Sequence, residues 1–554
     1  MSAAAALSRL ERLRLAFGGD AAAQRLMLLR RLAHARLSSA REVRRLHEAL
    51  CFARAYPDDE AVRAQAEAML ARFAHRADLR AHRAALADSG IAGTAIHYRF
   101  FHAQAEWLAS RWPQRLRLDR SDGEAEARIA KALPLLVTPV EAQALVEARL
   151  PGYAALDRLR GREPDAVFWL RRIAAMPGDG FTREAFSDAV DASFVLEPGP
   201  DTPSRSAAHF MAAPVSFSCP GPARGRPDLR AELDCAPRAL RRLSRREGEA
   251  LAELACAAMA TRERALAAFS YAHPRDAWLV DDGEGLAYAF IGVRPERRHP
   301  LAAIYGGLTL RNQVPIGYVQ ADIVGATAAV AFNTFDSFRG GEAAWTFARL
   351  LSAIRLAFGC TSFTLEPYQL GRDNDEGIDS GAWWFYRKLG FAPRDAGTRA
   401  LERQERARLA RRPSHRSSAG VLRRLAEHHL FFDLDPRRPH PLPPLAALGL
   451  QAGAALATRA GGDRERAVAE ASAELMRCCG LASLAGFSRD ERRAWQQLAP
   501  LVVRFDLDRW REDERRALVD LIRAKGATGE RDFVARHRAH GRFDAALYRR
   551  LGRE

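Results

Sequence analysis

Four apolar runs in close succession decide the fold: Leu286–Val293 (LAYAFIGV), Ala302–Leu310 (AAIYGGLTL), Pro315–Val324 (PIGYVQADIV) and Thr327–Phe332 (TAAVAF). Asp281-Asp282-Gly283-Glu284-Gly285 precedes them, and Arg311-Asn312-Gln313 and Gly325-Ala326 separate the later ones. Short β-branched and aromatic runs joined by tight turns predict an antiparallel meander. A helix is predicted next, over 342–358: Ala344, Phe347, Ala348, Leu351, Ile354 and Phe358 share one face, and Gly359 ends it. A strand at Ser362–Leu365, a helix over 379–389 and a last strand from Phe391-Ala392-Pro393 complete a mixed α/β domain over 235–395.

Working outward, residues 1–193 predict a helical domain. Ser39-Ala40-Arg41-Glu42 and Thr138-Pro139-Val140-Glu141 read as capping boxes, and 165–175 as a buried helix. Residues 194–234 are rich in proline and glycine and predict a linker or crossover, with a short strand near Val215–Ser218. Helical pattern resumes over 236–268. Residues 396–554 predict a second helical domain, with a third capping box at Ser488-Arg489-Asp490-Glu491. The fold class expected is therefore α+β or mixed α/β, with a central mixed sheet between all-α flanks.

The chain has 554 residues, a formal charge of +17 and only three lysines (Lys131, Lys388, Lys525) among 85 basic residues. Arginine this dominant reflects a GC-rich coding bias as much as a nucleic-acid footprint, because the arginines are interleaved with Asp and Glu. The densest stretch, 402–416, reads as a solvated helix and linker, with an RNA or phosphate contact as the alternative. Seven scattered cysteines suit buried thiols rather than a disulfide frame or a metal site. No metal site is expected, since His428, His429, Asp433 and Asp435 fit no zinc spacing. No apolar run reaches membrane length and no secretory leader is legible, so a soluble, cytoplasmic protein is the expectation.

Two stretches carry a resemblance. In Asp379-Ser380-Gly381-Ala382-Trp383-Trp384-Phe385-Tyr386-Arg387-Lys388-Leu389-Gly390-Phe391, residues Ala382, Tyr386, Gly390 and Phe391 match the pattern Asn-x-x-Ala-x-x-x-Tyr-x-x-x-Gly-Phe, with Asp379 where Asn is usual. Phe338-Arg339-Gly340-Gly341-Glu342-Ala343-Ala344 matches Arg/Gln-x-x-Gly-x-Gly/Ala at Arg339 and Ala344, with Glu342 where Gly is expected. In these motifs and in element order, 235–395 resembles the GNAT superfamily of acyl-CoA-dependent N-acyltransferases.

The resemblance implies acetyl-CoA or another acyl-CoA as co-substrate and a small-molecule or protein amine as acceptor. Phe338, Arg339, Gly340, Gly341, Ala343 and Ala344 would hold the pyrophosphate on free helix amides, against the opposing charge of Glu342. Tyr386 would protonate the departing thiolate, and a carboxylate would take the amine proton. The base candidates are Asp322, Asp336 and Glu366, with Glu366 preferred. Asn333, Asp336, Asn374 and Asp379 are substrate-binding candidates, Asn374 standing in an acidic insertion over 367–378. Without the resemblance, Tyr386 reads as a core tyrosine beside Trp384 and Leu389, and 339–344 as a helix start. Two other readings stay open: an inactive scaffold of the same architecture, with the helical regions binding a protein partner, and a nucleic-acid-binding protein.

Overall fold

The computed structural model describes residues 1–217, 223, 225–340 and 342–549. Its contacts gather into two units: Met1–Pro222 with Ala250–Tyr271 and Arg311–Ile316, and Ala223–Glu249 with Ala272–Leu310 and Gly317–Glu554. The segment after 395 thus shares a unit with the sheet.

The first unit is mainly helical, opening with Ala3–Arg12, Ala21–His34, Ala40–Ala55 and Glu60–Ala71, which bury Leu28, Leu46, Leu50 and Val62 completely. Thr138 and Glu141 form the reciprocal capping box. Ser39 accepts from the Glu42 N–H, but the Glu42 carboxylate turns to the Ser38 N–H and hydroxyl, one residue before the expected partner. The all-α expectation fails here. Strands β1 (Ile96–Tyr98), β2 (Leu116–Leu118) and β3 (Phe194–Leu196) form an antiparallel sheet in the order β1-β3-β2. Three residues carry too little alternation to stand out in a sequence; the strands exist because Ile96, Leu116, Phe194 and Leu196 share a core with Trp169 and Ile173. The strand expected near Val215–Ser218 is not formed by Val215–Phe217, and Ser218 lies outside the described residues.

The second unit is built on a nine-stranded mixed sheet. Its strands are β4 (Ala239–Arg242), β5 (Ala272–Gly283), β6 (Leu286–Val293), β7 (Ala303–Arg311), β8 (Val314–Val324), β9 (Thr327–Thr334), β10 (Ser362–Leu365), β11 (Ala392–Pro393) and β12 (Leu430–Asp433), in the order β11-β12-β10-β9-β8-β7-β6-β5-β4. The β7–β8 turn is made by Asn312 and Gln313, both in the left-handed region, the geometry that matches hairpin twist. All of β6 is buried, as both faces are covered. Strands β9 and β10 run parallel, so the chain needs a crossover between them. Helix α1 (Ala343–Phe358) supplies it and packs Phe347, Leu350, Leu351 and Ile354 into the core. Helix α2 (Ala382–Lys388) follows β10 after two short helical turns, Pro367–Leu370 and Asp375–Asp379, that fill the insertion.

Three strands of this sheet escaped the sequence reading. β4 and β5 fall where helix or nothing was expected; β5 contains Pro274, Arg275 and Asp276, and its pairing with β6 shifts register between Ala272 and Ala277. β12 overturns the all-α reading of the C-terminal region. It inserts between β10 and β11, antiparallel to both, burying Leu430 and Phe432 on the main core.

Helices α3 (Glu512–Lys525) and α4 (Arg531–Ala539) are tied to the sheet by a buried charge cluster. Lys525 Nζ donates to Ala302 O at 2.8 Å and pairs with Glu530, and its ammonium lies 4.3 Å from the Phe533 ring centre. Arg298 donates to the carbonyls of Lys525, Ala527 and Thr528 at 2.6–3.0 Å. Asp276 accepts from Trp278 Nε1, the Tyr305 hydroxyl and the Glu530 N–H. Two cations thus face two carboxylates, with the remaining donors on carbonyls, as buried charge requires. Six cysteines lie among the described residues, all free thiols.

Candidate functional site

Alternation along β8 sends Val319, Ala321 and Ile323 into the core and turns Tyr318, Gln320 and Asp322 to the other face. Their partners on β9 are Asn333, Ala331 and Ala329. Two alanines opposite Gln320 and Asp322 leave room above the sheet, and a pocket of about 340 Å³ opens there. Its walls include Gln320, Asp322, Ala329, Ala331, Glu366, Tyr368 and Gln369.

The pocket sits where two parallel strands part. β9 pairs with β10 only at Thr327–Ala329, opposite Ser362–Thr364. It then runs on to Thr334 against β8 alone, while β10 stops at Leu365. The stretch of β9 beyond Ala329 therefore presents main-chain groups that β10 does not satisfy. Gln369 reaches into this gap and donates to Phe332 O at 3.1 Å.

Electrostatics single out Asp322. Burial pushes its carboxyl up to about 6; the Gln320 amide, donating to Oδ1 at 3.0 Å, opposes the shift, and the Glu366 carboxylate adds to it. A carboxyl poised there is a competent general base near neutral pH. Glu366, the base preferred from sequence, is exposed just after β10 and acts on Asp322 through its charge. Asp336 is an exposed partner of Arg339, outside the pocket wall.

Tyr386 lies on α2, 3% exposed, its ring edge-on to Phe347 at 5.1 Å and close to Phe385 and Phe391. Burial raises its phenol well above the usual tyrosine range, and the hydrogen bond with the Gln369 side chain draws it back. Gln369 thus touches both Tyr386 and the Asp322 pocket.

At the start of α1, Phe338 is buried, and Gly340 has a φ of +85° with open space where a side chain would project. Gly341 lies outside the described residues. The first bond of the helix runs from the Thr346 N–H to Glu342 O. The amides of Ala343, Ala344 and Trp345 have no partner among the described residues, as at any uncapped helix start. Glu342 does not cap them. Its carboxylate is buried and accepts from the Ala223 N–H at 3.3 Å. Arg339 is held by Thr334 O, Asp336 at 2.9 Å and Glu376 at 2.5 Å.

Two substrate candidates do other work or stand apart. Asn374 caps the Asp375–Asp379 turn, accepting from the Gly377 N–H and donating to Tyr368 O. Asp379 is exposed at the end of that turn and does not line the pocket. Asn333 lies on the pocket side of β9, one alternation beyond Ala331. Gln320, Tyr368 and Gln369 were missed as site residues. The two-residue period of PIGYVQADIV already put Gln320 beside Asp322, but nothing local brings the Tyr368-Gln369 pair back over β9.

Among the described residues no group of three or more His, Cys, Asp or Glu is disposed to hold a metal ion, and no helix is long and apolar enough to cross a membrane. In comparisons with protein-family models, with curated proteins and with solved structures, nothing matches this chain.

Proposed function

We propose that this protein transfers an acyl group from an acyl-CoA to an amine, with Asp322 as the base. The observation that carries the reading is the Asp322 carboxyl, poised near 6 in a pocket at the parting of β9 and β10. An alkyl amine is a cation at neutral pH and must lose a proton before its nitrogen can attack. Asp322 takes that proton, and the negative charge of Glu366 favours entry of the ammonium. As the new C–N bond forms, the thioester C–S bond breaks and Tyr386, kept protonated by burial, donates to the leaving thiolate; the second proton shed by the acylated nitrogen restores the phenol. The edge of β9 that β10 leaves unpaired beyond Ala329 suits the amides of the pantetheine arm. The amides of Ala343 and Ala344, without a partner among the described residues, suit its diphosphate.

Calorimetric titration with acetyl-CoA tests the donor half; absence of binding up to millimolar concentration ends the enzymatic reading. With a panel of primary amines and a thiol-release assay, Tyr386→Phe should lower turnover about 100-fold at unchanged donor affinity. Asp322→Asn should remove the fall in rate below pH 6, leaving a low, flat profile.

A second reading, an inactive scaffold of the same architecture, is favoured by the near-complete enclosure of Tyr386 and by Arg339 being tied to two carboxylates. It gives no acetyl-CoA binding and full stability in Asp322→Asn.

A further inference from the structure

The far end of α1 opens on a cavity larger than the Asp322 pocket, with about 1220 Å³ of empty space. Arg242 on β4, Trp278 on β5, the last turn of α1, the loop Ala527–Gly529 and the α4 residues Arg531 and Arg538 line it. Among the described residues, many arginines pair with a carboxylate, as Arg349 does with Asp282 and Arg394 with Asp433. These three do not: among the described residues no Asp or Glu pairs with Arg242, Arg531 or Arg538. Their known partners are main-chain oxygens and one ring. Arg531 donates to Ala357 O at 2.6 Å, Arg538 to Phe358 O at 3.1 Å, and Arg242 to Arg275 O at 2.7 Å. The Arg531 and Arg242 guanidiniums lie 4.8 and 6.0 Å from the Trp278 ring centre.

The nearby acids do not balance them. Asp532, on the wall, is paired with Arg536 at 2.7 Å. Asp276 has both oxygens filled and belongs to the buried set in which Lys525 and Arg298 offset Asp276 and Glu530. The cavity therefore keeps three formal positive charges. A guanidinium has five N–H donors. One bond each to a terminal carbonyl of α1 fixes Arg531 and Arg538 in orientation and leaves the rest of each fork free. Gly359 makes this possible: an added Cβ would lie 1.3 Å from Arg538 Nη1.

We infer that this cavity is a binding site for a phosphate-bearing small molecule, a phosphomonoester or diphosphate. Arg531, Arg538 and Arg242 receive its oxygens, and Trp278 flanks them. Planar, oriented guanidiniums match phosphate bidentately, and three of them call for a ligand of charge −2 or more. The site lies about 25 Å along α1 from Glu342, at 1.5 Å per residue, so it is separate from the donor site proposed above and does not depend on it.

The test is calorimetric titration of the full chain at low salt with inorganic phosphate, pyrophosphate and ADP in separate arms. Pyrophosphate is expected to saturate one site at this cavity. Arg531→Gln should weaken it at least 10-fold, and so should Arg242→Gln, whose exposed residue on an edge strand leaves folding intact. Arg339→Gln should leave this site unchanged. A response to phosphate equal to that of pyrophosphate identifies a monoester site; a gain with ADP identifies a nucleotide diphosphate. The inference fails if no arm saturates, or if pyrophosphate binds Arg242→Gln and Arg531→Gln as it binds the parent. It also fails if Arg339→Gln alone abolishes binding. Loss of acyl transfer with pyrophosphate binding retained counts only against the acyl-transfer reading.

Discussion

The two ends of α1 form a natural comparison. At its N-terminus the local sequence offers an anion site, with glycine, arginine and helix-start amides; yet Arg339 is engaged by Asp336 and Glu376, and Glu342 is buried beside the amides. At its C-terminus, where a helix offers only carbonyls, Arg531 and Arg538 arrive from far along the chain, bind those carbonyls and face a cavity without acidic partners. Helix polarity alone would assign anions to the first end and cations to the second. Here the surrounding side chains have partly reversed that assignment. What decides is which charges the fold brings in, because a guanidinium outweighs the half-charge of a helix end.

The comparison breaks most visibly if its C-terminal half is loosened. Lys525→Met leaves Glu530 buried with only Arg298 near, and should cost about 3–5 kcal/mol in urea unfolding. The α3–α4 turn that Arg298 holds should loosen with it, and pyrophosphate binding should go. An unchanged urea midpoint would show that the cluster is not what holds this wall. Gly359→Ala acts on the same end more gently. It puts a side chain at a φ of +72° and displaces Arg538, for a loss of about 1–3 kcal/mol; acetyl-CoA binding at the other end should not change.

The remaining two variants sharpen the N-terminal half and the pocket beyond it. The folded Asp322 carboxyl is raised above its unfolded value, so the native state holds its proton more tightly. Stability from this group is present at low pH and is lost as pH rises from about 4 to about 6, when the carboxyl must ionise in place. Asp322→Asn should therefore melt higher than the parent at pH 7, by about 1 kcal/mol, and equal it near pH 4. A gain that persists at pH 4 would point to packing instead. The smallest effect is that of Glu342→Gln, which keeps an acceptor for the Ala223 N–H and removes the charge. Acetyl-CoA should bind about 2–5-fold tighter, the effect of 0.3–1 kcal/mol at a helix start; no change would mean that the diphosphate does not lie there.

Legibility followed locality. The meander 286–332, the helix over 342–358 and the strand Ser362–Leu365 carried strong periodic signals and formed within a residue or two of expectation. β1 to β3 did not, since each is three residues long and is held by its neighbours. β12 did not, because Leu430–Asp433 is a four-residue run whose strand state comes from β10 and β11 on either side. For the site, Asp322 and Glu366 could be read as acids at strand positions. That one would set the other's proton affinity, with Gln369 between them and Tyr386, could not.

By itself, then, the sequence determined a mixed α/β sheet with a helical crossover after the meander, because alternation and helical period act over a few residues and need no distant partner. Only the tertiary structure decided which carboxyl is poised, which arginines are balanced by acids and where the last strand inserts. Burial and charge balance are set by residues tens to hundreds of positions apart, and no local window contains both partners.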